Sequence, residues 1–148
     1  MDIQIDLSGR IETLNSASAF AFANGKSRTI LIPARVKRNV SRRLASRGVK
    51  SKMISVRMFT GATYLLVHPL LAEIKTIVID REFEGWENEI RSLLLRLIRQ
   101  AGHEIRSDAI QFRSVGKHAR CHHLALAAFR NKNEPDHRVT LNELLAAC

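Results

Sequence analysis

The stretch from Ile74 to Gln100, IKTIVIDREFEGWENEIRSLLLRLIRQ, decides how the rest of the chain is read. Ile77, Val78 and Ile79 form an unbroken β-branched run, which suits a strand covered on both faces. Asp80 closes it. Beyond a short acidic loop, Ile90, Leu93, Leu94, Leu97, Ile98 and Ala101 recur at helical spacing and put one apolar stripe on a helix that Gly102 stops. A strand entering a helix through a short loop is half of a βαβ unit, and such sheets bind ligands outside the carboxyl ends of their strands. Asp80 stands at that end.

Upstream, DIQID alternates Ile3 and Ile5 with Gln4 and Asp6, as a strand with one buried face does. Ser8-Gly9-Arg10 turns it. SAFAFANG and TILI, joined at Asn24-Gly25, read as a hairpin that Pro33 ends, so three antiparallel strands open the chain. Arg35 to Gly48 reads as a short basic helix with Val36, Val40 and Leu44 on one line. Lys52 to Phe59 fits a strand or an extended connection, and Thr60 is placed to cap a following helix that Pro69 interrupts. Downstream, Ala109 to Val115 alternates as a last strand. A helix follows, with Cys121, Leu124, Ala125 and Ala128 on one stripe, and Thr140-x-x-Glu143 is a capping box before a terminal helix. The fold class is therefore α/β, with a mixed sheet of three antiparallel strands followed by parallel strands with flanking helices. No repeat or linker interrupts the chain, and the reading is a single domain over 1–148.

Composition agrees with a globular chain, at 45% hydrophobic and 26% charged residues. The sequence shows no basic-then-apolar leader and no bilayer-length apolar run, and its two cysteines, Cys121 and Cys148, make no framework. The expectation is a cytoplasmic protein with no membrane partner. Charge is more informative. The net of +10 predicts attraction to polyanions. It is concentrated in residues 1–72, which carry 12 Lys and Arg against 3 acids. The strand-loop-helix unit at 74–101 is the acidic part. Nine basic residues and no acid lie between Arg35 and Arg57. That density points to phosphate contacts with DNA or RNA by Arg35, Lys37, Arg38, Arg42, Arg43, Arg47, Lys50 and Lys52. Lys117 beside Gly116 joins them, placed to meet a phosphate at the start of the following helix. Aromatic residues are scarce near this segment, so backbone or duplex binding is expected rather than base stacking.

The order of elements resembles the ribonuclease H-like superfamily. Asp6-Leu7-Ser8-Gly9 looks like that superfamily's start of the first strand, and IVID ending on Asp80 looks like its fourth strand. The resemblance implies that Asp6 and Asp80 face each other across the carboxyl edge of two parallel neighbours. It also implies a divalent-metal-dependent nuclease that uses Mg²⁺ or Mn²⁺. The sequence departs from the pattern in one respect: Thr13 to Ala72 holds no acid to supply the glutamate that such enzymes place on the first helix.

Two carboxylates brought together repel unless a hard cation neutralises them, which makes Asp6 and Asp80 candidate metal ligands and catalytic residues. Glu82, Glu87 and Glu89 read as a solvated first turn complementing the helix dipole, with Glu84 set apart as a third catalytic carboxylate. A histidine at that edge, His122 or His118, is the candidate for proton transfer, with His122 taken as the catalytic one. His118 and His122 also bracket Cys121 at a metal-binding spacing, but Cys121 shares the apolar stripe and reads as core. Three functions remain open: a metal-dependent nuclease, a non-catalytic nucleic-acid-binding module, and an interaction domain for an acidic protein.

Overall fold

The computed structural model describes all 148 residues. β1 (Asp2–Ser8), β2 (Ser18–Asn24) and β3 (Lys26–Ile32) run antiparallel in succession. β4 (Thr76–Asp80) lies parallel to β1, and β5 (Ile110–Arg113) parallel to β4. A two-residue strand, β6 (His137–Arg138), pairs parallel with the outer edge of β3, giving the order β5-β4-β1-β2-β3-β6. The helices are α1 (Ala34–Ser46), α2 (Ser51–Val67), α3 (Glu87–Gln100), α4 (Arg120–Phe129) and α5 (Leu141–Ala147).

The strand-loop-helix unit forms as its pattern requires. Ile77, Val78 and Ile79 are all buried, and α3 buries Ile90, Leu94, Leu95 and Ile98 before Gly102, at φ +84°, ends it by donating to the Arg99 carbonyl. Alternation along the strands divides the core between two faces. Ile3, Ile5, Phe20, Phe22, Ile77 and Ile79 point into the main cluster with Phe59 of α2, and the helices α1, α3 and α5 pack around α2.

The opposite face is built from small side chains. Ala19, Ala21 and Ala23 of β2 are buried beneath α4, which covers β1, β2 and β3 and buries Cys121, Ala125 and Ala128. Short side chains on both surfaces let helix and sheet approach closely. Gly9, just past β1, continues this contact, since a Cβ there would lie 2.5 Å from both the Phe129 ring and the Ala17 carbonyl.

The chain departs from the sequence reading between Ser51 and Val67. This whole segment is the helix α2, including Lys52 to Phe59, which alternates like a strand. Eleven of its positions are buried, so the apolar and polar contrast that marks a surface helix is absent. Thr60 does not cap it. Its hydroxyl lies mid-helix and donates to the Val56 carbonyl at 2.8 Å. Pro69 sits in the 3₁₀ turn His68–Glu73 that follows the helix. The capping box of α5 is present as read: Thr140 Oγ1 accepts from the Glu143 N–H at 3.3 Å, and Glu143 Oε1 accepts from the Thr140 N–H at 2.9 Å. No helix is long and apolar enough to cross a membrane.

Candidate functional site

Register brings the two aspartates together. Ile5 pairs with Ile79 in the parallel ladder of β1 and β4, so one further residue sets Asp6 beside Asp80 at the carboxyl edge. Both side chains lie on the α4 face, because each follows an isoleucine that points into the main core. Asp6 is only 5% exposed. Its Oδ1 accepts from the Leu7 N–H at 2.8 Å, and its Oδ2 lies 2.7 Å from His122 Nδ1 on α4. Asp80 Oδ1 accepts from the Val115 N–H at 2.8 Å in the loop after β5.

Glu82 completes the group. One carboxylate oxygen from each of Asp6, Asp80 and Glu82 lies within 4.8 Å of the others. Glu84, expected as the third carboxylate, is exposed in the loop and outside this group. Phe83 between them is buried against Phe59, and of its two neighbours it is Glu82, the nearer to Asp80 in the chain, that meets the aspartates. A cleft of about 230 Å³ opens over the three carboxylates, lined also by Leu7, Gly116, Lys117 and His122.

The electrostatics are those of crowded acids. Burial raises the pKa of Asp6, opposed by the Leu7 N–H and the His122 hydrogen bond, and the charge of Asp80 adds to the rise. Glu82 is exposed as a residue, yet its carboxyl is partly screened from water, and the charges of Asp80, Asp6 and Glu12 add to this. Its pKa is pushed up to about 7, with Arg10 opposing. Three crowded oxygen donors, two of them, Asp6 and Glu82, reluctant to ionise there, match the requirement of a hard divalent cation. With Asp6 ionised, its short contact to His122 needs the proton on Nδ1, which leaves Nε2 as the acceptor nitrogen of that ring.

The residues of the His118–Cys121–His122 spacing go separate ways, with Cys121 in the core where its stripe puts it. His118 is exposed in the turn before α4, and Cys121 is buried with its thiol pushed up to about 11 by burial. The helix itself starts at Arg120, so Lys117 stands on the loop that precedes it and lines the cleft from there.

The basic series divides in two. Arg35, Arg38, Arg42, Arg43, Arg47, Lys50 and Lys52 are exposed, and none of them is in an ion pair. Lys52 sits at the start of α2 with Nζ 4.7 Å from the Phe83 ring centre, next to the loop that carries Glu82. Lys37 is different and is not available to nucleic acid. It is 0% exposed, and its Nζ donates to the Thr13 carbonyl at 2.7 Å, Ser18 Oγ at 2.8 Å and the Arg10 carbonyl at 3.2 Å. It therefore clamps the loop between β1 and β2 onto α1, and burial lowers its pKa to about 8. Arg38 Nη1 reaches the same loop at the Leu14 carbonyl, 3.0 Å away.

Two basic residues near the carboxylates carry no sequence signal. Arg10 acts on Glu82 from the clamped loop, and Arg113 of β5 stands opposite Asp80 in the ladder. Strand register reveals Arg113, and the placing of the clamped loop reveals Arg10. No protein-family model, curated protein or solved structure matches this chain.

Proposed function

We propose that this chain is a nucleic-acid-binding protein of ribonuclease H-like architecture that hydrolyses phosphodiesters with Mg²⁺ or Mn²⁺. The observation that carries the reading is the meeting of Asp6, Asp80 and Glu82 at the carboxyl edge of two parallel neighbours. The central order, with β1 between antiparallel β2 and parallel β4, supports the architecture. The unpaired Arg and Lys side chains of α1 and the start of α2 support a polyanionic partner.

Asp6, Asp80 and Glu82 would hold the cation, and His122 and Lys117 stand in the same cleft. When bound, such an ion polarises a phosphoryl oxygen and acidifies water. Lys117 presents its ammonium to the phosphate, and His122 holds or releases a proton at Nε2 while Asp6 fixes the ring through Nδ1. The exposed basic residues hold the strand through its backbone.

One observation favours a non-catalytic binding module instead: both Asp6 oxygens and one Asp80 oxygen already accept hydrogen bonds from the protein. Thermal melting with and without Mn²⁺, alongside cleavage of radiolabelled DNA and RNA, separates the two. Mn²⁺ should raise the melting temperature of the wild type and not of Asp80→Asn, and cleavage should vanish in Asp80→Asn while binding persists. A wild type that binds nucleic acid but neither responds to Mn²⁺ nor cuts is the binding module. Cutting by Asp80→Asn at the wild-type rate removes these carboxylates from the reaction.

A further inference from the structure

On the helical side of the molecule, two adjoining cavities share Arg57, Leu93 and Arg96. One, about 180 Å³, lies between α2, α3 and α5 and reaches Leu97, Gln100 and Ala147; the other, about 340 Å³, continues toward Met53, Ser92 and Glu89. Together they have the size of a small-ligand site. They share no lining residue with the carboxylate cleft, which lies at the α4 face of the sheet.

The two guanidiniums here lack anionic partners. Neither Arg57 nor Arg96 is in any of the chain's ion pairs. Arg57 Nε is the one side-chain nitrogen or oxygen that is closed off from solvent with no hydrogen-bond partner. A donor of a permanent cation held this way is costly to leave unmet, and Arg cannot escape by losing its proton. The aliphatic surface, Leu93, Leu97 and Ala147, belongs to the smaller cavity; the larger is mostly polar and holds one carboxylate, Glu89, which is in no ion pair with either arginine.

We infer that this groove is a second binding site, for a small organic anion whose phosphate or carboxylate head meets Arg57 and Arg96 and whose apolar body lies along Leu93 and Leu97. The planar forks of two arginines suit the head group, and the aliphatic wall excludes water from the rest. Gln100, at the far end of the smaller cavity, offers the amide that a polar tail group would meet.

The test is a titration of the full chain with hexyl phosphate, inorganic phosphate and hexanol, followed by side-chain NMR of the arginine Nε and leucine methyl groups. Hexyl phosphate should saturate with Kd at or below about 1 mM. It should shift Arg57, Arg96, Leu93 and Leu97 together and bind more than about tenfold tighter than inorganic phosphate, since the alkyl chain is buried as well. Arg96→Gln, at an exposed position, and Arg57→Gln should each weaken it at least about tenfold. Shifts confined to α1 or to the carboxylate cleft, undiminished binding in Arg96→Gln, or equal affinity for hexyl and inorganic phosphate would each overturn the assignment.

Discussion

His122 Nδ1 and Asp6 Oδ2 lie 2.7 Å apart although 116 residues separate them in the chain. The contact ties the first strand to the helix α4 on the sheet's thin face, at the side chain whose burial raises its own pKa. Removing the ring in His122→Ala leaves a nearly buried carboxylate oxygen without its partner, at a cost of about 1–3 kcal/mol at neutral pH. Because the folded pKa of Asp6 then rises further above its ordinary 3.8, the deficit should shrink as pH falls and vanish once Asp6 is protonated in both states. Urea unfolding of both proteins across pH measures it.

Glu82 gives a second pH dependence. Its folded pKa near 7 stands above the ordinary 4.5, so the folded state binds the extra proton, and stability falls as pH rises from about 4.5 through 7. Glu82→Gln should therefore be more stable than wild type above pH 7, by about 1 kcal/mol after allowance for solvent screening, and no more stable below pH 4.5. An equal gain at both ends would mean that the carboxylates do not repel one another.

The corrected third carboxylate separates from its neighbour by metal response. If the three carboxylates hold the ion, Mn²⁺ at saturating concentration should raise the melting temperatures of wild type and Glu84→Gln alike, while Glu82→Gln should lose most of the rise. A reversed result would restore Glu84 to the site.

Lys37 and the exposed arginines make opposite predictions. Lys37→Met leaves the Arg10 and Thr13 carbonyls and Ser18 Oγ without their shared donor and should cost about 1–3 kcal/mol of stability, while nucleic-acid affinity of the folded protein stays unchanged. In the wild type, the lowered pKa means that the cost of burying the ammonium is fully present below pH 8 and is relieved as pH rises from 8 toward 10.5.

Replacing Arg38, Arg42 and Arg43 together by Ala should leave the fold intact and weaken duplex binding. The log–log salt slope should flatten by about one for each phosphate that the variant no longer neutralises. Unchanged binding across a salt series would make α1 an ordinary solvated surface.

Much of the scaffold was legible because its local signals agree. The run Ile77–Ile79, the turn at Gly25, the stop at Gly102 and the Thr140–Glu143 box each rest on a short-range rule, and each appears where that rule puts it. α2 was not legible, because a helix buried between layers shows no stripe, and its Lys-Met-Ile-Ser-Val-Arg alternation imitates a strand. Asp6 and Asp80 could be read as a pair only through the resemblance, which implied that their strands are parallel neighbours; strands then fix the direction of their side chains. Loops do not, so the choice between Glu82 and Glu84 waited on the path of the loop itself. Lys37 was misread for a similar reason: its place in a basic run says nothing of the three acceptors that another loop brings to it.

The alanine-on-alanine seat of α4 gives the molecule a narrow mechanical tolerance. Long side chains can change rotamer to absorb a shift between helix and sheet; the methyl groups of Ala21 and Ala125 have no such freedom. Any tilt of α4 is passed along a stiff rod to His122 and changes its separation from Asp6 directly. Substitutions that enlarge Ala125 or Ala128, or Ala21 opposite Asp6 in the ladder, would thus be felt at the His122–Asp6 contact, although these residues look like filler.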